Sequence, residues 1–253
     1  MPNRGIAILF CALISCTLAM PAGAEMNDRL SEQHFGWITT GDYQAGDSLH
    51  FSLDRYRNEY LMRFDGQPEV YVLYADYGSL GGRVLRYDSG SIAIQVAGWG
   101  SMTIYTDNQP EGLPAVRTGD STTPSLPAVT LSQMQSAADD ETAHLSYVRG
   151  THVTFTADWN ALSGDAGLRA LAFDTMENAA RGIDRFTANP AAHALFGQKV
   201  NAVRIQTSDK PIIQIINKTL IVTFNPSQGY MGRASSRAIA FALGKLFGVP
   251  IPN

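Results

Sequence analysis

From Trp37 to Asp107 apolar and polar residues alternate in short runs: "SLHFSLD", "YLMRFD", "EVYVLYAD", "GRVLRYD", "SIAIQVAG" and "SMTIYTD". A period of two sends successive side chains to opposite faces of a strand. Between the runs stand "GD", "DGQP", "GSLGG", "DSGS" and "GWG", residues that turn a chain tightly. Strands punctuated this often, with no helical stripe among them, predict an antiparallel β-meander closed as a small barrel or stacked as a sandwich. This β-rich domain is expected over residues 35–107.

The pattern then lapses. Residues 108–129, "NQPEGLPAVRTGDSTTPSLPAV", hold four prolines and several hydroxyls but no periodic apolar face. They are expected to form an exposed Pro/Ser/Thr-rich linker.

Beyond it the period becomes helical. "LSQMQSAADDETAHLSYVRG" predicts a helix and "THVTFTADW" a strand. "DAGLRALAFDTMENAARGIDRF" lines up Leu168, Leu171, Ala172, Met176, Ala179, Ile183 and Phe186 on one stripe, with Asn189-Pro190 to end or kink it. "VNAVRIQT" and "PIIQIINKTLIVTF" predict three strands, the last two turning at Asn217-Lys218. A closing helix runs to about Phe247, where Gly248 and two prolines stop it. The expected fold class is α+β: an N-terminal β-meander linked to a C-terminal α+β layer domain over 130–253, with helices covering one face of a small sheet.

Composition changes the picture mainly at the N-terminus. Residues 1–24 carry Arg4, an apolar run from Ile6 to Leu18, and the small-residue ending Ala22-Gly23-Ala24. This reads as a secretory signal peptide cleaved after Ala24, its apolar run being shorter than the roughly 20 residues of a membrane span. No transmembrane span is expected after processing, and the protein is placed in the periplasm or outside the cell. "LISC" opens a second route, in which Cys16 becomes the lipidated N-terminus of a lipoprotein.

Cys11 and Cys16 both lie in the leader, so the mature chain has no cysteine for a disulfide, a thiol nucleophile or a thiolate metal site. Loss of the leader takes the formal charge from −4 to −5. Nucleic acid, which is held by clustered Lys and Arg, is a poor partner for such a chain.

Candidate chemistry is sparse. The histidines His34, His50, His144, His152 and His193 fall in no close metal-ligand spacing, and no metal or other cofactor is expected. His144 follows Asp140 by four residues, a spacing that lets the two meet on an exposed helix face. Serines in "YDSGS" and "GWGSM" sit where the meander needs turns, not in a nucleophile elbow. Aromatics from Trp37 to Tyr105 either fill the core or line a groove for a sugar, peptide or aromatic ligand.

The nearest approach to a motif is "NPSQGYMGRASSRA", where a strand ends and a helix begins. It lacks both the lysine of a phosphate-binding loop and the three glycines of a dinucleotide fingerprint. Two readings remain: a serine-capped helix, or an anion site formed by Arg233, Ser235, Ser236 and Arg237 at the helix N-terminus. On the capped-helix reading Arg233 is a surface residue whose replacement by alanine shifts stability by less than about 0.5 kcal/mol.

Three runs, "HFGWITTGDY", "FDGQPEVYVLYADYG" and "TLIVTFNPSQGYMGRASSRAIAFAL", resemble an uncharacterised family of exported alphaproteobacterial proteins known only as a domain of unknown function. The likeness spans nearly the whole chain after the leader. It implies a Gram-negative periplasmic or cell-surface setting and supplies no catalytic residues. The expectation is a non-enzymatic binding or interaction module of the envelope, its partner an envelope protein or a small ligand. The alternative is a metal-independent hydrolase acting on cell-envelope material.

Overall fold

A computed structural model describes residues 37–250; the expected leader, its cleavage point after Ala24, Cys16 and His34 lie outside them. Eight antiparallel strands form a closed barrel in simple meander order: β1 (Gly41–Ala45), β2 (Leu49–Tyr56), β3 (Glu59–Phe64), β4 (Val70–Tyr77), β5 (Arg83–Tyr87), β6 (Ile92–Val96), β7 (Met102–Thr106) and β8 (Gln109–Gly119). Alternation sends Tyr43, Phe51, Tyr60, Phe64, Tyr71 and Tyr87 inward with aliphatic neighbours. Tyr43 stacks on Phe51 at 5.2 Å, and Tyr71 meets Tyr87 edge-on at 5.3 Å. These rings pack the interior of the barrel.

Two of the eight strands are absent from the sequence pattern. β1 is short, and β8 lies inside the segment expected to be a linker. β8 pairs with β7 and, through Tyr43↔Arg117 and Ala45↔Ala115, with β1. The barrel therefore runs to Gly119, not to residue 107, and it closes with a strand that contains Pro110 and Pro114. No residue of β8 is fully buried, so it shows none of the inside-outside contrast that reveals the other strands.

Only residues 120–130 connect the barrel to the rest, and they are pinned: the Ser121 hydroxyl donates to Asp54 at 2.6 Å. Leu126 packs against the C-terminal core and against the small cluster of Leu61, Val70, Val72 and Tyr230.

The C-terminal unit is a mixed sheet in the order β11–β12–β10–β9, formed by β9 (Thr154–Ala157), β10 (Ala202–Thr207), β11 (Ile213–Ile216) and β12 (Thr219–Phe224). β9, β10 and β12 are parallel; β11 runs antiparallel to β12. Val203, Ile205, Leu220 and Val222 face the helices, while Arg204 points to solvent. The helices are α1 (Leu131–Arg149), α2 (Trp159–Ser163), α3 (Ala166–Thr187), α4 (Pro190–Lys199) and α5 (Ser236–Phe247).

The predicted stripe of α3 is buried from Leu171 to Phe186. Asn189-Pro190 ends α3 and also starts α4, with Asn189 as its N-cap and Pro190 in its first turn. That fourth helix is missing from the sequence expectation because its short run of alanines carries no apolar periodicity. α3 and α5 cross closely at Gly182, where a Cβ would stand 2.7 Å from Ile239.

Candidate functional site

One rim of the barrel meets the helical unit through three hairpin turns, each bringing one carboxylate. Glu69 comes from the β3–β4 turn, Asp88 from β5–β6 and Asp107 from β7–β8. Opposite them lies the N-terminus of α5, where unpaired backbone N–H groups and the helix dipole favour negative charge.

Asp88 accepts from the Ser235 backbone N–H at 2.7 Å and from its hydroxyl at 2.5 Å. Glu69 accepts from the Ser236 N–H at 2.8 Å, its hydroxyl at 2.7 Å, and the Tyr71 hydroxyl at 2.9 Å. Asp107 is held by Arg237 at 2.6 Å and by Arg185.

The four residues singled out from sequence are thus brought together, but at an internal joint. Ser235 caps α5, its side chain accepting from the Ala238 N–H at 3.2 Å. Where an external anion would sit, the barrel's own carboxylates already stand. Arg233 is no surface residue: it is 3 % exposed, ion-paired with buried Asp174, and donates to the Val70 carbonyl at 2.7 Å. The expectation of a negligible Arg233→Ala effect is overturned by that burial. Arg237 lies over the Tyr87 ring at 4.3 Å. Burial pushes the Asp88 carboxyl up from its ordinary range, against the pull of the Ser235 hydrogen bonds and Arg233.

Beside this joint opens a cleft of about 600 Å³ between the barrel rim and helices α1 and α3. Gln67, Glu69 and Tyr71 form its barrel wall; Glu141, His144 and Arg149 come from α1, and Arg181, Asp184 and Arg185 from α3. Charges of both signs alternate around it. Arg149 pairs with Asp184 at 2.6 Å and Arg181 with Glu177 at 2.7 Å. Burial, then the nearby Glu177, raises the Glu141 carboxyl above the usual carboxylate range. Burial, then Glu69, raises the Tyr71 hydroxyl.

His144 therefore does its facing into the cleft beside Glu141, while Asp140 is exposed on the same helix. The other described histidines are scattered: His50 on the outer barrel wall, His152 against the Ser146 hydroxyl at 3.0 Å, His193 against the Arg149 carbonyl. Among the described residues no three His, Cys, Asp or Glu side chains gather as a metal site, and no helix is long and apolar enough to cross a membrane.

Sequence reasoning missed Glu69, Asp88, Asp107, Asp174 and Arg185. Asp88 and Asp107 each follow a strand, where an acid reads as an ordinary turn former, and Glu69 opens the run read as a strand; the available signal was the recurrence of an acid at three turns of the same rim. Comparison with known proteins gives one match: a family model described as "Domain of unknown function (DUF4908)" covers residues 25–243. No curated protein and no solved structure matches the chain.

Proposed function

The chain belongs to the DUF4908 family, and from that premise we propose that it is an exported binding module of the alphaproteobacterial envelope, holding a small polar ligand or an extended peptide in the cleft at the barrel rim. The leader-like residues 1–24 support export. The observation that carries the binding role is the cleft itself. Its volume of about 600 Å³ suits a small molecule or a few peptide residues, and two separate cores build its walls. Arg149, Arg181 and Arg185 face Glu69, Glu141 and Asp184 there, so a ligand bearing both donors and acceptors is matched better than a simple anion.

The serine hydroxyls at the joint support binding over chemistry. Ser235 and Ser236 are 1 % and 0 % exposed and already donate to Asp88 and Glu69. A nucleophile needs a free approach for substrate, which these lack. The test is a screen of envelope-derived peptides and sugars by chemical-shift mapping of the intact protein. Ligand shifts should fall on α1, α3 and the β3–β4 turn, and Arg181→Ala should weaken binding. Shifts confined to another surface would sink the reading.

A second reading, a hydrolase of envelope material, is favoured by one observation. Glu141 has the raised carboxyl that a general acid requires, with His144 in the same cleft. Turnover of a bound ligand that Glu141→Gln abolishes while leaving its affinity intact would decide for it.

A further inference from the structure

Most of the charge facing the cleft is already matched within the protein. Arg149 holds Asp184 at 2.6 Å, Arg181 holds Glu177 at 2.7 Å, and Arg185 holds Asp107. The Glu69 carboxylate accepts three hydrogen bonds, from the Ser236 N–H, the Ser236 hydroxyl and the Tyr71 hydroxyl. Glu141 is the exception. It lines the cleft, yet its carboxylate makes no hydrogen bond or ion pair among the described residues. Exposure does not account for this, because Glu141 is half-buried whereas Asp139 and Asp140 beside it stand in water. Burial and the like charge of Glu177 raise its carboxyl, the mark of an anion held where it is poorly compensated. His144, three residues on and so on the same face of α1, also lines the cleft without a hydrogen-bond partner among the described residues. The Gln67 side chain, likewise unpaired, stands on the barrel wall.

Taking the cleft as the binding site, we propose that its ligand carries a protonated amine and that the Glu141 carboxylate receives it, with His144 and the Gln67 amide oxygen as further acceptors. An ammonium has three N–H donors and no acceptor, which suits a carboxylate, an imidazole nitrogen and an amide oxygen. It also brings the counter-charge that Glu141 lacks, in a half-buried setting where such a pair is stronger than in open water.

Other charged ligands fit less well. A divalent cation needs several anionic or imidazole ligands, and among the described residues no three His, Cys, Asp or Glu side chains gather to supply them. A simple anion would set its charge against Glu141 and find each of the three guanidinium groups already paired. Beyond those pairs the guanidinium groups keep spare N–H donors, so they can hold carbonyl oxygens elsewhere on the same ligand. That second contact is the one Arg181→Ala removes. The same ammonium is offered by the N-terminus of a peptide and by an amino sugar.

Two pairs of probes separate these sources in chemical-shift titrations of the intact protein at neutral pH: trialanine amide with its N-acetyl form, and glucosamine with N-acetylglucosamine. The free-amine member of one pair should shift α1, α3 and the β3–β4 turn and bind about tenfold more tightly than its acetylated partner, the loss expected when one charged contact is removed. The pair that shows this preference names the source. Glu141→Gln, a neutral side chain of the same shape in a site that already disfavours the charge, should bring both members of that pair to equal affinity. Asp140→Asn removes a charge one residue away, on the exposed side of α1, and should leave the preference unchanged.

Equal binding of the free and acetylated members within the cleft would overturn the proposal and leave the binding role of the cleft standing. Shifts from the free amines that fall outside the cleft would also overturn it. So would a preference that Asp140→Asn reduces as much as Glu141→Gln does, since the amine would then be drawn to the acidic surface of α1 in general. If none of the four probes binds, the amine proposal is overturned, and the wider screen of peptides and sugars judges the cleft on its own.

Discussion

Replacing Arg233 by alanine leaves Asp174 buried without its counter-charge and the Val70 carbonyl without its donor. Loss of one partner of a buried pair costs about 3–5 kcal/mol, so urea denaturation of Arg233→Ala should show a loss of that size. The double change Arg233→Met with Asp174→Leu removes both charges and should recover most of it. Asp88 gives a pH signature. Its folded carboxyl titrates above the ordinary value of 3.8, so the folded state holds the proton more tightly than the unfolded chain does. The stability this group contributes is complete below the ordinary value and is lost as pH rises through the folded one. As the pH is lowered from neutrality towards that ordinary value, the melting temperature of the native protein should therefore gain on that of Asp88→Asn; an identical pH response in both would refute the assignment.

Elements differ in how plainly the sequence announces them. β2 to β7, α1, α3 and α5 are legible because one face of each is buried and the other wet, which writes a period into the residues. β1 and β8 are silent: one is brief, the other nowhere fully buried, and both exist because the barrel must close. The joint is silent for another reason. Arg233 and the Val70 carbonyl it reaches stand 163 residues apart, a distance over which no local pattern carries information. Closure makes a sharp expectation for limited proteolysis: first cuts within residues 120–130, none within β8, and the two nicked pieces eluting together because the joint still holds them. A cut between Gln109 and Gly119 would speak against the closed barrel. In the β11–β12 hairpin, Asn217 and Lys218 hold φ 49° and 62°. Such a turn prefers glycine at its second position, so Lys218→Gly should stabilise the protein by roughly 0.5–1 kcal/mol in thermal denaturation.

Taken as a whole, the molecule is two cores held by a polar joint and by the smaller cluster of Leu61, Val70, Val72 and Tyr230. The cleft lies where they meet, so anything that separates the cores also dismantles its walls. The joint also imposes an order on folding. Ser235 and Ser236 meet carboxylates 147 and 167 residues earlier in the chain. A barrel whose strands pair mostly with their sequence neighbours can form while the C-terminal strands and α5 are still unmade, its rim acids remaining in water. Contacts of long sequence separation form late, because the loop they close costs entropy before it is rewarded. Refolding should accordingly show a fast phase for the barrel and a slower one for its coupling to α5. Until that second phase is complete, a newly emerged chain carries a finished barrel with an open acidic rim, a state in which chaperones and proteases meet it before any ligand can.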